Sequence, residues 1–141
     1  MATYVKYQQF VEDLGKGVHQ LHAAGHTLKA ILSNAAPNVS THVVRGDVTE
    51  LSTAGGYTSG GTDIQNDYTE ATGTGTLTAV DVVFTAASGT IGPFRYAIVY
   101  NDTPTSPADP LVCYWDYGSS ITLADGETFT VDFGASVLTI A

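Results

Sequence analysis

The chain has 141 residues, about one domain, and 43% of them are hydrophobic, which is enough to bury a single core. Its formal net charge is −9, but residues 1–46 have four cations against Glu12 and Asp13, a net charge of +2. Residues 47–141 have twelve acids against Arg95 alone, a net charge of −11. Binding to phosphates needs a basic face, so we expect no nucleic acid partner.

The sequence also argues against a membrane partner and against disulfide chemistry. No apolar run approaches the roughly 20 residues that span a bilayer, and "MATYVKYQQFVEDL" lacks the charged-then-apolar layout of a signal peptide. We therefore expect synthesis and assembly in a cytoplasm. Cys113 is the single cysteine and lies in an aromatic strand, so we expect it to be a buried apolar thiol.

The first predicted element is a helix of about ten residues. Its apolar residues are spaced at i, i+3, i+4 and i+7, which places them on one side: Tyr7, Phe10, Val11 and Leu14. We expect Glu12 and Asp13 on the other side, and the glycines at 15 and 17 to end the helix.

Three further features precede the main β region. "HTLKAILSN" alternates in polarity and predicts a strand with one solvent-exposed face, formed by Thr27, Lys29 and Ser33. "DVTEL" predicts one helical turn, with Asp47 as its N-cap and Glu50 three residues later. "STAGGYTSGG" is a glycine-rich loop that we expect to be mobile, or to be ordered by a partner.

From residue 62 onward short β runs are separated by Gly, Pro, Asn or Asp, and Asp125-Gly126 predicts a hairpin. The spacing of these runs predicts a mainly β fold, an antiparallel β-sandwich of jelly-roll type with a short N-terminal helix. We expect one domain over 1–141, with the helix and a connecting segment in 1–25 and the sandwich in 26–141.

The chemical motifs are weak. His19, His22 and His26 would share one helical face and could bind a metal, but neighbouring glycines argue against a continuous helix, so we expect surface histidines. "GGYTSGG" lacks the Lys-Ser/Thr pair of a phosphate loop. The carboxylates at 63, 67 and 70 lack the spacing of a calcium loop. We therefore expect no metal, no cofactor and no enzymatic activity.

The aromatic residues cluster in "FRYAIVY" and "LVCYWDY". Both faces of this strand pair are largely apolar, so we expect one face in the core and the other covered by the N-terminal helix or by a second subunit. A homodimer is favoured over a trimer. The candidate interface residues on these strands are Tyr96, Tyr100, Tyr114 and Trp115. We expect Arg95 to pair with an acid, because an unpaired buried charge is costly.

Four stretches, in this order, resemble small virion structural proteins of tailed bacteriophages: "LSNAAPN", "DVTELSTAGGYTSGG", "GPFRYAIVYND" and "DYGSSITLADGETFTVDFG". The resemblance extends from about residue 5 to the end and is greatest to capsid decoration (cement) proteins. It implies a small jelly roll or β-barrel on the outside of an icosahedral shell. It also implies the major capsid protein as partner, with neighbouring capsid subunits clamped together.

For a decoration protein, the difference in net charge between residues 1–46 and residues 47–141 predicts that the N-terminal segment faces the shell. We expect Tyr4, Tyr7 and Phe10 to be the anchors of this contact and Lys6 to lie at its rim. Deleting residues 1–14 would then abolish docking, or would unfold the domain if the helix covers the aromatic sheet. Two other functions stay open. One is a phage tail, head–tail or receptor-binding accessory, and the other is a carbohydrate-binding module that uses the aromatic strands.

Overall fold

The computed structural model describes residues 3–141; Met1 and Ala2, at the start of the predicted N-terminal segment, lie outside the described residues. In chain order, the helix and strands are β1 (Val5–Lys6), α1 (Gln8–Gly15), β2 (Leu28–Ser33), β3 (Thr62–Asp63), β4 (Asp67–Ala71), β5 (Thr74–Thr78), β6 (Val82–Thr85), β7 (Ile91–Asn101), β8 (Leu111–Leu123), β9 (Thr128–Val131) and β10 (Leu138–Ile140).

The strands form three antiparallel sheets. The largest has the order β1-β8-β7-β2-β3, the second has the order β10-β5-β4, and β6 pairs with β9. The prediction of a mainly β, antiparallel fold with one short helix is confirmed. The helix in residues 3–141 is too short to cross a membrane.

The two aromatic stretches form the central hairpin of the largest sheet. Ile98 lies opposite Tyr114, and Ala97 lies opposite Trp115. Because side chains alternate between the two faces of a strand, Tyr114 and Trp115 point to opposite faces of the sheet. Both faces are therefore rich in aromatic residues, as the sequence pattern predicts.

Segments of the same chain cover both faces. On the first face, the ring of Tyr7 lies 5.7 Å from that of Tyr114, and the hydroxyl of Tyr100 donates to the carbonyl of Gly60 at 2.7 Å. On the opposite face, the Trp115 ring lies 5.4 Å from that of Phe133, just after β9. Within residues 3–141, both apolar faces of this strand pair are thus covered by the same chain. A second subunit is not needed to cover either face, so the reason for which we expected a homodimer does not apply.

The helix α1 has eight residues instead of about ten, and its buried side differs from the predicted one. Phe10 is 1% exposed and Asp13 is 4% exposed, whereas Val11 is 56% exposed. The prediction that Asp13 lies on the outer side is thus wrong. Asp13 follows Phe10 by three residues, and that spacing places both side chains toward the sheet.

The strand β2 is buried on both faces from Ala30 to Ser33. Thr27 and Lys29 keep partial exposure, but Ile31 and Ser33 are inaccessible to solvent, so the prediction of a solvent-exposed face is wrong for Ser33. The physical reason is that the segment after β2 returns over this face. Glu50 bridges to Ser33 in antiparallel fashion, and the Ser33 hydroxyl donates to the Thr49 carbonyl at 2.6 Å.

The Asp125-Gly126 dipeptide reverses the chain, but it does not close a hairpin. The amide of Glu127 donates to the Ala124 carbonyl at 2.9 Å, which closes a tight turn. The strand β9 then pairs with β6, with Phe84 opposite Phe129, and not with β8. The turn therefore carries the chain from the largest sheet to the two-stranded sheet.

Candidate functional site

The acidic residues of the β region stabilise the fold. In residues 47–141, ten of the twelve carboxylates accept a backbone N–H, most of them at turns: Asp47, Glu50, Asp63, Asp67, Glu70, Asp81, Asp116, Asp125, Glu127 and Asp132. The other two pair with cations, Asp102 with Lys29 at 3.0 Å and Asp109 with Arg45 at 3.8 Å. The many acidic residues of this region are therefore explained by hydrogen bonds from backbone N–H groups, most of them at turns.

The histidines of the connecting segment are not all at the surface. His19 is 7% exposed, and its ring lies 5.0 Å from that of Phe10. The prediction of surface histidines is wrong for His19, because residues 16–27 pack against the end of β7. Burial lowers the pKa of His19 to about 4. Residues 3–141 contain no group of three or more His, Cys, Asp or Glu side chains that could hold a metal ion.

A network centred on Arg45 and Glu50 holds the glycine-rich loop. The Arg45 guanidinium donates to Glu50 Oε1 at 2.8 Å. The other carboxylate oxygen of Glu50 accepts from the Tyr57 hydroxyl at 2.7 Å and from the Gly60 amide at 2.6 Å. Tyr57 is only 2% exposed. The loop is therefore ordered by its own chain, contrary to the expectation that it is mobile or waits for a partner.

The predicted turn at "DVTEL" lies earlier than expected. A 3₁₀ turn spans Arg45–Asp47 and ends at Asp47. The Asp47 carboxylate accepts the amides of Val43 at 2.9 Å and Val44 at 3.1 Å. These hydrogen bonds lower the pKa of Asp47. Asp47 thus binds residues before the turn, and Glu50 belongs to the loop network.

Arg95 pairs with an acid, as predicted. Its Nε and Nη2 donate to the two oxygens of Asp116 at 2.8 and 3.1 Å. The pair is at the surface, since the Arg95 side chain is 38% exposed. The hydrogen bond from Arg95 is the main cause of the lowered pKa of Asp116.

The structure places most of the predicted interface rings in the core. Tyr7 and Tyr100 are fully buried, Phe10 is 1%, Trp115 3% and Tyr96 8% exposed. These five side chains leave almost no surface for a partner. The remaining predicted interface residues retain exposure: Tyr4 and Tyr114 are half-buried, and Lys6 is exposed.

The start of the chain combines an exposed cation with exposed apolar side chains, and we call its accessible residues Tyr4, Val5, Lys6 and Val11 the N-terminal surface. Val5 is 39% and Val11 56% exposed. The strand β1, which holds Val5 and Lys6, is an edge of the largest sheet, where Val5 lies opposite Tyr114. Such an edge is accessible to a partner.

Lys6 differs from the other cations of residues 3–141. The other four each pair with a carboxylate: Lys16 with Glu12, Lys29 with Asp102, Arg45 with Glu50, and Arg95 with Asp116. Lys6 makes no ion pair in this part of the chain. The sequence predicted Lys6 and Tyr4 but missed Val5 and the exposure of Val11, since the apolar spacing of the helix counted Val11 as a core residue.

Comparison of the chain with family models, with curated proteins and with solved structures gives no match.

Proposed function

We propose that this protein decorates the outside of an icosahedral tailed-phage capsid and stabilises it by clamping neighbouring major capsid subunits. The sequence blocks that resemble virion structural proteins suggest the role. The observation that carries it is the N-terminal surface, in which Val5 and Val11 are exposed on β1 and on α1, and in which Lys6 makes no ion pair within residues 3–141. In this proposal the protein has no enzymatic activity, and its location is the virion surface after assembly in a bacterial cytoplasm.

A clamp of this kind needs a stable fold and a modest interface. Many identical contacts on one shell add up through avidity, so no single copy must bind tightly. The side-chain arrangement supports such a role, because the carboxylates are engaged in turns and ion pairs. The N-terminal surface offers apolar contact area at Val5 and Val11, and Lys6 at its rim would favour association with an acidic patch on the shell.

Matched substitutions test the docking surface. Val5 and Val11 are replaced by Thr, which has nearly the same shape and similar backbone preferences but adds a hydroxyl. The control is Val80→Thr with Val83→Thr, because these valines are 54% and 55% exposed and lie elsewhere in the sequence. Purified variants are added to particles that lack the protein, and the bound copies are counted.

We expect the Val5/Val11 variant to bind about 5–30-fold more weakly, which corresponds to about 1–2 kcal/mol of lost apolar contact. The control should bind like the wild type. Equal binding by all three proteins, with unchanged melting temperatures, would show that the N-terminal surface is not the docking site. Lys6→Glu should also reduce binding, mainly through slower association.

The copy number per particle separates this proposal from a tail or head–tail accessory. Hundreds of copies fit a decoration protein, whereas a few or a few dozen fit a tail component. The carbohydrate-binding alternative needs exposed rings, and Tyr100 and Trp115 are 0% and 3% exposed. No feature of the described residues favours it.

Two further proposals concern architecture. We infer that the sheets stack as a sandwich of jelly-roll type, supported by ring contacts between layers such as that of Phe94 with Phe129 at 4.9 Å. An experimental structure that assigns the strands to two layers tests this. We also keep the proposal of a homodimer, and light scattering at high micromolar concentration tests it; a monomer there would count against it.

A further inference from the structure

Three polar side chains meet between the connecting segment, residues 16–27, and the end of β7. Asn101 is fully buried, and its Nδ2 lies 3.0 Å from Nδ1 of His19 and 3.0 Å from Nδ1 of His26. The amide of Thr103 donates to Asn101 Oδ1 at 3.2 Å, which fixes the orientation of the carboxamide. The NH₂ group therefore donates to both rings, and each ring accepts at Nδ1.

This geometry requires both imidazoles to be neutral. The Gln20 amide also donates to His26 Nδ1 at 3.3 Å, so two donors share that acceptor. A proton on either Nδ1 would replace a hydrogen bond by an N–H facing another N–H. We propose that His19, His26 and Asn101 form an acid-sensitive latch, which holds the connecting segment on the sheet and opens when His19 takes up a proton.

The groups around the latch modify its titration. Asp13 on α1 attracts the protonated form of His19, and His26 repels it. His22 lies on the same segment, and Asp63 lines a cavity of about 400 Å³ together with His26. Next to Asn101 on the chain, the Asp102 carboxylate pairs with Lys29 at 3.0 Å, so its charge is largely compensated.

Burial exceeds the attraction from Asp13 and lowers the pKa of His19 to about 4, against 6.5 in an open segment. The open state therefore binds the proton more tightly, and opening becomes easier as the pH falls below 6.5. These two pKa values predict an opening constant about 30-fold larger at pH 5 than at pH 8.

If the protein docks on a capsid as proposed above, opening of the latch should also weaken docking. The helix α1 continues directly into the connecting segment, so opening would loosen the N-terminal surface and release the protein from particles in acid. The latch itself is a property of the isolated chain. Its test uses no particles, so a failure of the docking proposal is distinguishable from a failure of the latch.

Amide hydrogen exchange of the full chain at pH 8 and pH 5 tests the proposal. The amides of Val18 and His26 report on the segment, since they donate to carbonyls of Asp13 at 2.9 Å and Gln20 at 2.8 Å. After correction for intrinsic rates, we expect their exchange to be about 30-fold faster at pH 5. The amide of Ile98, in the middle of β7, should change less. Equal corrected rates at both pH values would overturn the latch.

Asparagine substitutions separate titration from packing. In His19→Asn and His26→Asn, the carboxamide oxygen takes the position of Nδ1, accepts from Asn101 and does not titrate. We expect His19→Asn to lose the pH dependence, and His26→Asn and the control His22→Asn, at an exposed position, to keep it. A wild-type pH dependence in His19→Asn would contradict the proposal. If the variants fail to fold, ¹⁵N spectra of the wild-type protein near pH 7.5 show which ring nitrogen of His19 and His26 carries the hydrogen. Hydrogen on Nε2 supports the latch, and hydrogen on Nδ1 overturns it.

Discussion

Replacing Phe10 by Ala should cost the protein much of its stability. Phe10 is 1% exposed and packs against the His19 ring, at a centroid distance of 5.0 Å. Truncating a buried Phe typically costs about 3–5 kcal/mol. A domain of this length has a free energy of unfolding of roughly 7–20 kcal/mol. The substitution should therefore raise the ratio of unfolded to folded protein by roughly 10²–10⁴.

Urea denaturation followed by circular dichroism measures this loss. The control is Val11→Ala on the same helix, where the side chain is 56% exposed. A surface substitution of this kind usually changes stability by no more than about 0.5 kcal/mol. If Phe10→Ala and Val11→Ala shift the free energy of unfolding equally, then α1 does not pack on the sheet as described, and the reasoning is refuted.

Deletion of residues 1–14 should unfold the protein for the same reason, and should not leave a folded domain that merely fails to dock. The deletion removes Tyr7, which is fully buried, together with Phe10. Two buried rings are worth about 6–10 kcal/mol, which is close to the whole free energy of unfolding. We therefore expect the truncated chain to be unfolded by circular dichroism. A folded truncated domain would show that the N-terminal segment is a separate docking arm.

Gly61→Ala should destabilise the protein by about 2 kcal/mol more than Gly60→Ala, as measured by thermal or urea denaturation. Both glycines have a positive φ, but only at Gly61 would an added Cβ overlap the backbone of β2. Equal losses would contradict the close approach. Cys113 is fully buried, which raises the pKa of its thiol, so thiol reagents should label it only after unfolding; rapid labelling of the native protein would refute this. Asp47 and Asp116 have lowered pKa values in the folded protein, so their stabilisation is present above their unfolded pKa near 4 and is lost as the pH falls through their folded values. Denaturation midpoints between pH 7 and pH 2 test this, and Asp116→Asn should reduce the slope.

Local patterns in the sequence were sufficient for several elements. The 3.6-residue spacing located α1, and the alternation in "FRYAIVY" and "LVCYWDY" located β7 and β8. The buried thiol of Cys113 and the Arg95–Asp116 ion pair also followed from residue type and surroundings. These features depend on contacts within a strand or a helix, or on the general cost of burying a charge.

Other features depend on long-range contacts that no local pattern encodes. The chemistry of Asp125-Gly126 predicts a reversal of the chain, but which strand β9 then joins is decided by packing. The cover over Tyr100 comes from residues 45–60, which have no apolar periodicity. This segment is held in place because the Glu50 carboxylate accepts hydrogen bonds from the Tyr57 hydroxyl and the Gly60 amide. The sequence pattern does not indicate these contacts.

The distribution of charge in the fold also changes the expected electrostatics of docking. In sequence, residues 1–46 carry a net charge of +2, but Lys29 and Arg45 are committed to Asp102, Glu50 and Asp109 of the acidic region. Within residues 3–141, the cation that makes no ion pair is Lys6, so the attraction between the N-terminal surface and a shell would rest mainly on Lys6 and on apolar contact.

One exposed charge contributes little and is screened by salt, whereas apolar contact is not. We therefore expect particle binding to weaken by less than about tenfold between 50 mM and 500 mM NaCl. The salt dependence should nearly vanish in the neutral variant Lys6→Gln and should reverse in Lys6→Glu, because salt then screens a repulsion. Val5→Thr with Val11→Thr should bind more weakly at every salt concentration. Sedimentation of particles with bound protein measures both effects. A loss of several hundredfold in high salt would show that several charges contact the shell and that docking uses a surface other than the N-terminal one.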